Sequence, residues 1–394
     1  MLRLKAPDQA HRRVIALTVM LFLTYLSVAM SLPVVPVHVV ATLGLNNAYA
    51  GLAVGIAFLS TILTRSHAGA LVDRLGGRPC MRRGLVLYLA AALVCLASGL
   101  PVLPVPLSYG VLILGRLLLG LGESLTMVGM IGWSIGLMGA ARSGRVMSLV
   151  GMGMYGAFAL GGPLGLALLH RLGFSGTMAV CALLPVLGLA CITLVPAVAP
   201  HAGRRESFWR IIGRIWLPGS TVGLQGVGFA ALGAFFSLYA LSRGWAHAGL
   251  GLTCFGLGFV LVRLLCGHLP DRIGGTPVAI ASLAVEACGQ YLIWLAPGPG
   301  AALLGALLTG LGCSMVFPAM GSEVVKLVPP QLRGTAVGGF AAFQDLAYGL
   351  TGPVMGLVAD HSGYGPIFFI GGLAASGALL MAVAAHRASR PRPA

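Results

Sequence analysis

Runs of about twenty apolar residues alternate along this chain with short breaks rich in Gly, Pro and Arg. A helix needs about 20 such residues to cross the hydrocarbon core of a bilayer. The breaks leave twelve runs, beginning near Val14, Ala48, Met81, Leu107, Val146, Phe174, Ile215, His247, Pro277, Ala301, Thr335 and Pro366. Helices are expected throughout, because each then pairs its own backbone groups inside lipid. The predicted fold is an all-α integral membrane protein with twelve transmembrane helices. The first run, residues 14–40, is too long for a signal-peptide core and is read as a retained span.

The longest polar break, residues 196–214 (PAVAPHAGRRESFWRIIGR), divides the runs six from six. This predicts an N-terminal six-helix bundle over 1–197, a linker over 198–213 and a C-terminal six-helix bundle over 214–394. Internal repetition supports the division. Arg65, Gly69, Asp73, Arg74, Gly76, Gly77 and Pro79 recur 198 residues later as Arg263, Gly267, Asp271, Arg272, Gly274, Gly275 and Pro277. Gly115, Gly120, Gly122, Ser124, Gly162 and Pro163 recur 190 residues later as Gly305, Gly310, Gly312, Ser314, Gly352 and Pro353. Parallel repeats of this kind are a transporter architecture.

Composition agrees with a membrane setting. Hydrophobic residues make up 58% of the chain and charged residues 9%, against about a quarter charged in a soluble domain. The net charge of +16 raises nucleic acid as a partner, but the cations are mostly arginines between apolar runs rather than a lysine-rich face, and no nucleic-acid partner is expected. All but five of the 25 cations fall at the termini or in the odd-numbered connections, which predicts that both termini are cytoplasmic. The eight cysteines lack C-x-x-C spacing, so neither disulfides nor a metal site is expected.

Three motifs carry a family resemblance. GALVDRLGGR at residues 69–78, RLLLGLGES at 116–124 and GGPLG at 161–165 resemble signatures of the major facilitator superfamily. The first departs from its pattern at Gly77, where a basic residue is usual, and the third lacks a glycine four residues before its Gly-Pro pair. RSHAG at 65–69, VFPAMG at 316–321 and GLTGPVMGLV at 349–358 resemble the YhhS/YfcJ-like bacterial branch, whose members are inner-membrane permeases. The resemblance implies alternating access in the bacterial inner membrane, and it assigns Gly69, Asp73, Arg74, Gly76, Arg78, Asp271 and Arg272 to gating. It also implies proton-coupled efflux of a small organic solute. Proton-coupled uptake of a small, possibly anionic, metabolite is the rival. No cofactor beyond the proton gradient is expected, and the chain is expected to work as a monomer in the lipid bilayer.

Six ionisable residues fall inside spans: Arg65, Arg116, Glu123, Arg263, Glu286 and Asp345. Each costs about 2.5–3.5 kcal/mol at a helix centre when unpaired, so they are expected to face one another or a wet cavity. Arg116 and Glu123 are seven residues apart, which puts them within about 20° on one helix face and roughly 10 Å apart along it. They fit either a proton-coupling site, with Glu123 the proton carrier and Arg116 its permanent countercharge, or a buried pair that locks the helix. Asp345 is the second candidate carrier, with a helix-clamping role as its rival. Arg65 and Arg263, as repeat equivalents, are expected on the two sides of one cavity, where they bind an anionic group, tie to acids or snorkel to headgroups. Tyr25, Gln225, Tyr239, Gln344 and Tyr348 are predicted to line that cavity, with Phe236. Glu286 lies in span nine, which the resemblance makes peripheral, and is expected to have a structural or lipid-interface role.

Other classes find little support. No G-x-x-x-x-G-K-[ST] loop is present for a nucleotide-driven pump. The histidines are scattered rather than clustered for catalysis, and a pore would not need two repeats with turn motifs on one side.

Overall fold

The computed structural model describes residues 9–139, 142–198, 209–328 and 333–388. The helices are α1 (Gln9–Val37), α2 (Asn47–Leu75), α3 (Gly77–Ser98), α4 (Val105–Met138), α5 (Ser143–Cys191), α6 (Trp209–Ser242), α7 (Leu250–Cys266), α8 (Leu269–Ile273), α9 (Gly275–Trp294), α10 (Pro299–Lys326), α11 (Arg333–Ser362) and α12 (Gly365–Ala388). No strand occurs among the described residues. Among the described residues nine helices are long and apolar enough to cross a membrane, and α7 is a shorter apolar helix. Gly173 in α5 has φ 69 and ψ −175, outside the helical region, so α5 is two spans joined at that glycine. With α7 and with α11, which carries Gln344 and Asp345 near its middle, the described residues make twelve traverses.

Local chemistry sets several of the boundaries. The Asn46 side chain accepts from Tyr49 N at 3.1 Å and caps α2. Gly76 closes α2 at φ 86 and Gly274 closes α8 at φ 90, positions where an L side chain is strained. The neighbouring glycines of these turns do something else. Gly77 and Gly275 are the first helical residues of α3 and α9, and a Cβ on Gly77 would lie 2.5 Å from the Gly129 carbonyl and from Trp133. The turn therefore uses one left-handed glycine rather than two. At Gly77, where the motif it resembles has a basic residue, α4 occupies the side-chain space. The second copy of the motif is also broken: α2 runs unbroken to Leu75, whereas its equivalent stops at Cys266 and resumes at Leu269. Pro270 has no N–H for the Cys266 carbonyl and its ring crowds that position.

Packing follows the repeat. Gly120 meets the Ala57 carbonyl where α4 crosses α2, and its repeat equivalent Gly310 meets the Phe255 carbonyl where α10 crosses α7. Between the two halves the same rule holds. Gly51 of α2 meets Gly352 of α11, while Gly249, just before α7, lies against Gly162 and Pro163 of α5. These contacts are one contact seen twice, since Gly51 and Gly249 differ by 198 residues and Gly162 and Gly352 by 190. Small residues let the backbones touch.

The close contacts between halves, at residues 51–59, 159–163, 249–256 and 349–356, lie toward the end of the bundle opposite the termini, here called the far end. There Asp360 of α11 also accepts from Asn47 N at 2.8 Å, Asn47 Nδ2 at 2.9 Å and Ala48 N at 3.0 Å, all at the start of α2. Tyr364 donates to Asn47 Oδ1 at 2.8 Å. The far end is closed by backbone contact on both sides of the interface and by this latch on one.

Candidate functional site

At mid-height, where α1, α2, α5, α6, α7 and α11 meet, a ring cluster joins the two halves. Tyr155 stacks on Phe259 with centroids 3.4 Å apart. Phe229 lies 5.3 Å from Phe158, 5.0 Å from Phe255 and 5.1 Å from Tyr348. Phe58 reaches Tyr348 at 5.2 Å, and Tyr25 reaches Phe158 at 6.3 Å. Of these rings only Tyr25 and Tyr348 stood among the sequence-predicted cavity residues. The others come from four helices, and nothing in one helix's sequence marks them as neighbours.

The charged groups lie beside this cluster. Arg65 Nη2 of α2 is 2.7 Å from Asp345 Oδ2 of α11, with side chains 27% and 11% exposed. This ion pair spans the two halves. Glu123 of α4 is nearly buried and accepts from the Tyr25 hydroxyl of α1 at 2.7 Å. Gln344 Nε2 donates to Gln225 Oε1 at 3.2 Å. Gln225 in turn donates to Cys313 Sγ at 2.7 Å and to Glu286 Oε1 at 3.4 Å, and the Cys313 thiol donates to the same oxygen at 3.3 Å. These bonds are also repeat-related: Glu123 and Cys313 stand 190 residues apart, and each is tied to the first helix of its half, by Tyr25 or by Gln225.

Other predicted neighbours are not brought together. Arg116 is 2% exposed and hydrogen-bonds to groups other than Glu123. Its Nε donates to the Ala53 carbonyl at 2.8 Å and its Nη1 to Ser31 Oγ at 3.0 Å, binding α4 to α2 and α1. The shared helix face fixes where the two Cβ atoms start, and the long arginine stem then reaches acceptors on other helices. Tyr239 packs on Trp245 and Phe368 near the far end of α6, and Phe236 also packs on Phe368. Glu286 is fully buried inside the C-terminal half, with Oε2 unpartnered. It faces Gln225 and Cys313 rather than lipid.

Arg263 differs from its repeat partner. Its Cζ lies 5.2 Å from the centroid of Phe259, and its buried Nε has no hydrogen-bond partner. A cation over a ring face gains about 0.5–2 kcal/mol, which does not cover the cost of about 2.5–3.5 kcal/mol for an arginine inside a membrane. Of the residues that the resemblance assigns to gating, Asp73 and Arg74 end α2, Gly76 makes its turn and Arg78 opens α3. The side chain of Asp271 and the central linker residues 199–208 lie outside the described residues.

The Major Facilitator Superfamily profile matches residues 17–250 and 219–394, which together cover nearly the whole chain. The chain belongs to the major facilitator superfamily. An uncharacterized MFS-type transporter of Salmonella typhimurium is 44% identical over 367 residues, covering 93% of this chain and 94% of the relative. The structure of the nucleoside transporter NupG superposes with a TM-score of 0.76 at 13% identity, covering 94% of this chain and 99% of that one. The D-xylose-proton symporter gives 0.76 at 19% identity, covering 94% and 96%. As a member of this superfamily the chain is a multi-pass membrane transporter rather than an enzyme.

Proposed function

We propose that this major facilitator works by alternating access in the bacterial inner membrane, with both termini cytoplasmic, and couples the export of a small organic solute to proton entry. The observation that carries the reading is the Arg65–Asp345 pair, which joins the halves beside Glu123 and its tyrosine. A proton on Asp345 removes the charge that Arg65 attracts, so the contact between α2 and α11 depends on protonation. Glu123, held by a neutral hydroxyl rather than a cation, can carry a proton without breaking an ion pair. Arg65 cannot release its proton and so keeps its attraction for whichever anion is present. In this conformation the far end is closed, which under the proposed orientation is the periplasmic side.

Export rather than uptake is favoured by RLLLGLGES and GGPLG, the antiporter-like motifs. Uptake remains the competing reading, because one solved structure of the same fold is named a D-xylose-proton symporter. Reconstituted vesicles enclosing a pH-sensitive dye separate the two, whichever way the protein inserts. Entry of the solute makes the lumen more alkaline for an antiporter and more acidic for a symporter. Solute-independent ion flux would overturn both readings in favour of a pore.

A further inference from the structure

Arg65 and Arg263 are repeat equivalents, each with a buried Nε that lacks a hydrogen-bond partner, but only Arg65 has an acid beside it. Arg65 has the Asp345 carboxylate at 2.7 Å. The residue 190 positions before Asp345 is Tyr155, so the place of the second carboxylate is taken by a neutral phenol stacked on Phe259, the ring beneath Arg263. Arg116 has carbonyl and hydroxyl acceptors. Among the described residues, Arg263 is therefore the intramembrane arginine with neither an acid nor a hydrogen-bond acceptor. Gly151 of α5 faces its guanidinium, and a Cβ placed there would touch it, 3.8 Å from Nη2.

We propose that Arg263 binds the anionic group of the cargo, and that the cargo is an organic anion with a flat apolar body, such as an aromatic carboxylate. The proposal rests on the transporter reading above and adds the chemical class of what is carried. A guanidinium offers parallel N–H donors that match a carboxylate in a two-point contact. Beside it, Tyr155, Phe259, Phe255 and Phe229 form a ring cluster closed on itself in this conformation, with the three phenylalanines at most 3% exposed, and a flat apolar body would take the place of some of these ring contacts. A small inorganic anion would answer the charge and leave that ring surface unused. A neutral or cationic solute would use the rings and leave the arginine without a counter-ion.

The test is thermal unfolding of the purified full-length protein in detergent with benzoate and indole-3-acetate, their amides, benzylamine and inorganic phosphate. The two carboxylates are expected to raise the unfolding temperature saturably, at concentrations at least tenfold lower than the amides, while benzylamine and phosphate have no such effect. Arg263→Gln should erase the preference. Tyr155→Asp should erase it too, by giving Arg263 an internal partner like that of Arg65, and it tests the idea independently if the first variant does not fold. Amides, benzylamine or phosphate acting as well as the carboxylates, or a preference that survives Tyr155→Asp, would overturn the proposal. The same ligands in the dye-loaded vesicles keep the two readings apart. Carboxylate preference without proton movement refutes the coupling and leaves this site standing, whereas proton movement with neutral solutes alone does the reverse.

Discussion

Asp360 is where a single substitution should shift the balance between closed and open far ends. Its carboxylate, on α11 in the C-terminal half, takes two backbone N–H groups and one side-chain amide at the start of α2 in the N-terminal half, at 2.8–3.0 Å. Exchanging a side chain that caps a helix start for alanine costs about 0.5–2 kcal/mol, and a negative charge at that end adds about 0.3–1 kcal/mol when exposed. Because Asp360 is exposed and Asn47 half-buried, we take about 1–2 kcal/mol for the whole latch. If the bonds exist only when the far end is closed, Asp360→Ala should raise the open fraction by a factor of roughly 5–30. Amide hydrogen exchange followed by mass spectrometry reads this ratio directly. Residues 159–163 and 249–256 form the other inter-half contact and do not touch Asp360. Opening of the gate should speed exchange there as well as at residues 47–59, while local fraying would speed only the latter. Unchanged exchange at 159–163 and 249–256 would refute the claim that Asp360 holds the halves together.

Further expectations concern the packing. Gly51→Val and Gly249→Val intrude on the two repeat-related contacts between halves, so both should lower the thermal unfolding temperature, to similar extents, by a strain of about 1–3 kcal/mol; a large effect from only one would contradict their equivalence. Glu286→Gln keeps an oxygen to accept from Cys313 and Gln225 and should unfold near the wild-type temperature. Glu286→Leu strands those donors at a cost of about 1–3 kcal/mol, and equal stability of the two variants would show that the network contributes nothing. Arg116→Lys cannot reach the Ala53 carbonyl and Ser31 together with the same fork, so thermal unfolding should move down while solute-driven proton movement persists. Lost coupling at unchanged stability would return Arg116 to the coupling site.

Much of the fold is legible as period and spacing. The apolar runs begin within a few residues of the helices found, because each run must cover one bilayer thickness. Gly162, Pro163 and their copies at Gly352 and Pro353 announce contacts that the structure makes twice. What the sequence leaves hidden depends on side-chain reach and on distant helices. Arg116 and Glu123 share a helix face, yet one bonds Ala53 and Ser31 and the other Tyr25. The ring cluster draws Phe58, Tyr155, Phe158, Phe229, Phe255 and Phe259 from four apolar runs in which each reads as an ordinary core or lipid-facing residue. Asp360, close to a span's end, looks like a solvated acid until α2 is set beside it. Glu286 reads as peripheral because its partners, Gln225 and Cys313, lie on other helices.

The central claim is that a carboxyl at the meeting of the two halves couples proton movement to solute movement. Its most direct test compares wild type, Glu123→Gln and Asp345→Asn in vesicles enclosing a pH-sensitive dye, with solute exchange followed in parallel. The account predicts that wild type moves protons only when solute moves, and that Glu123→Gln exchanges solute across the membrane while the lumen pH stays constant. Proton movement equal to wild type in both variants would contradict it.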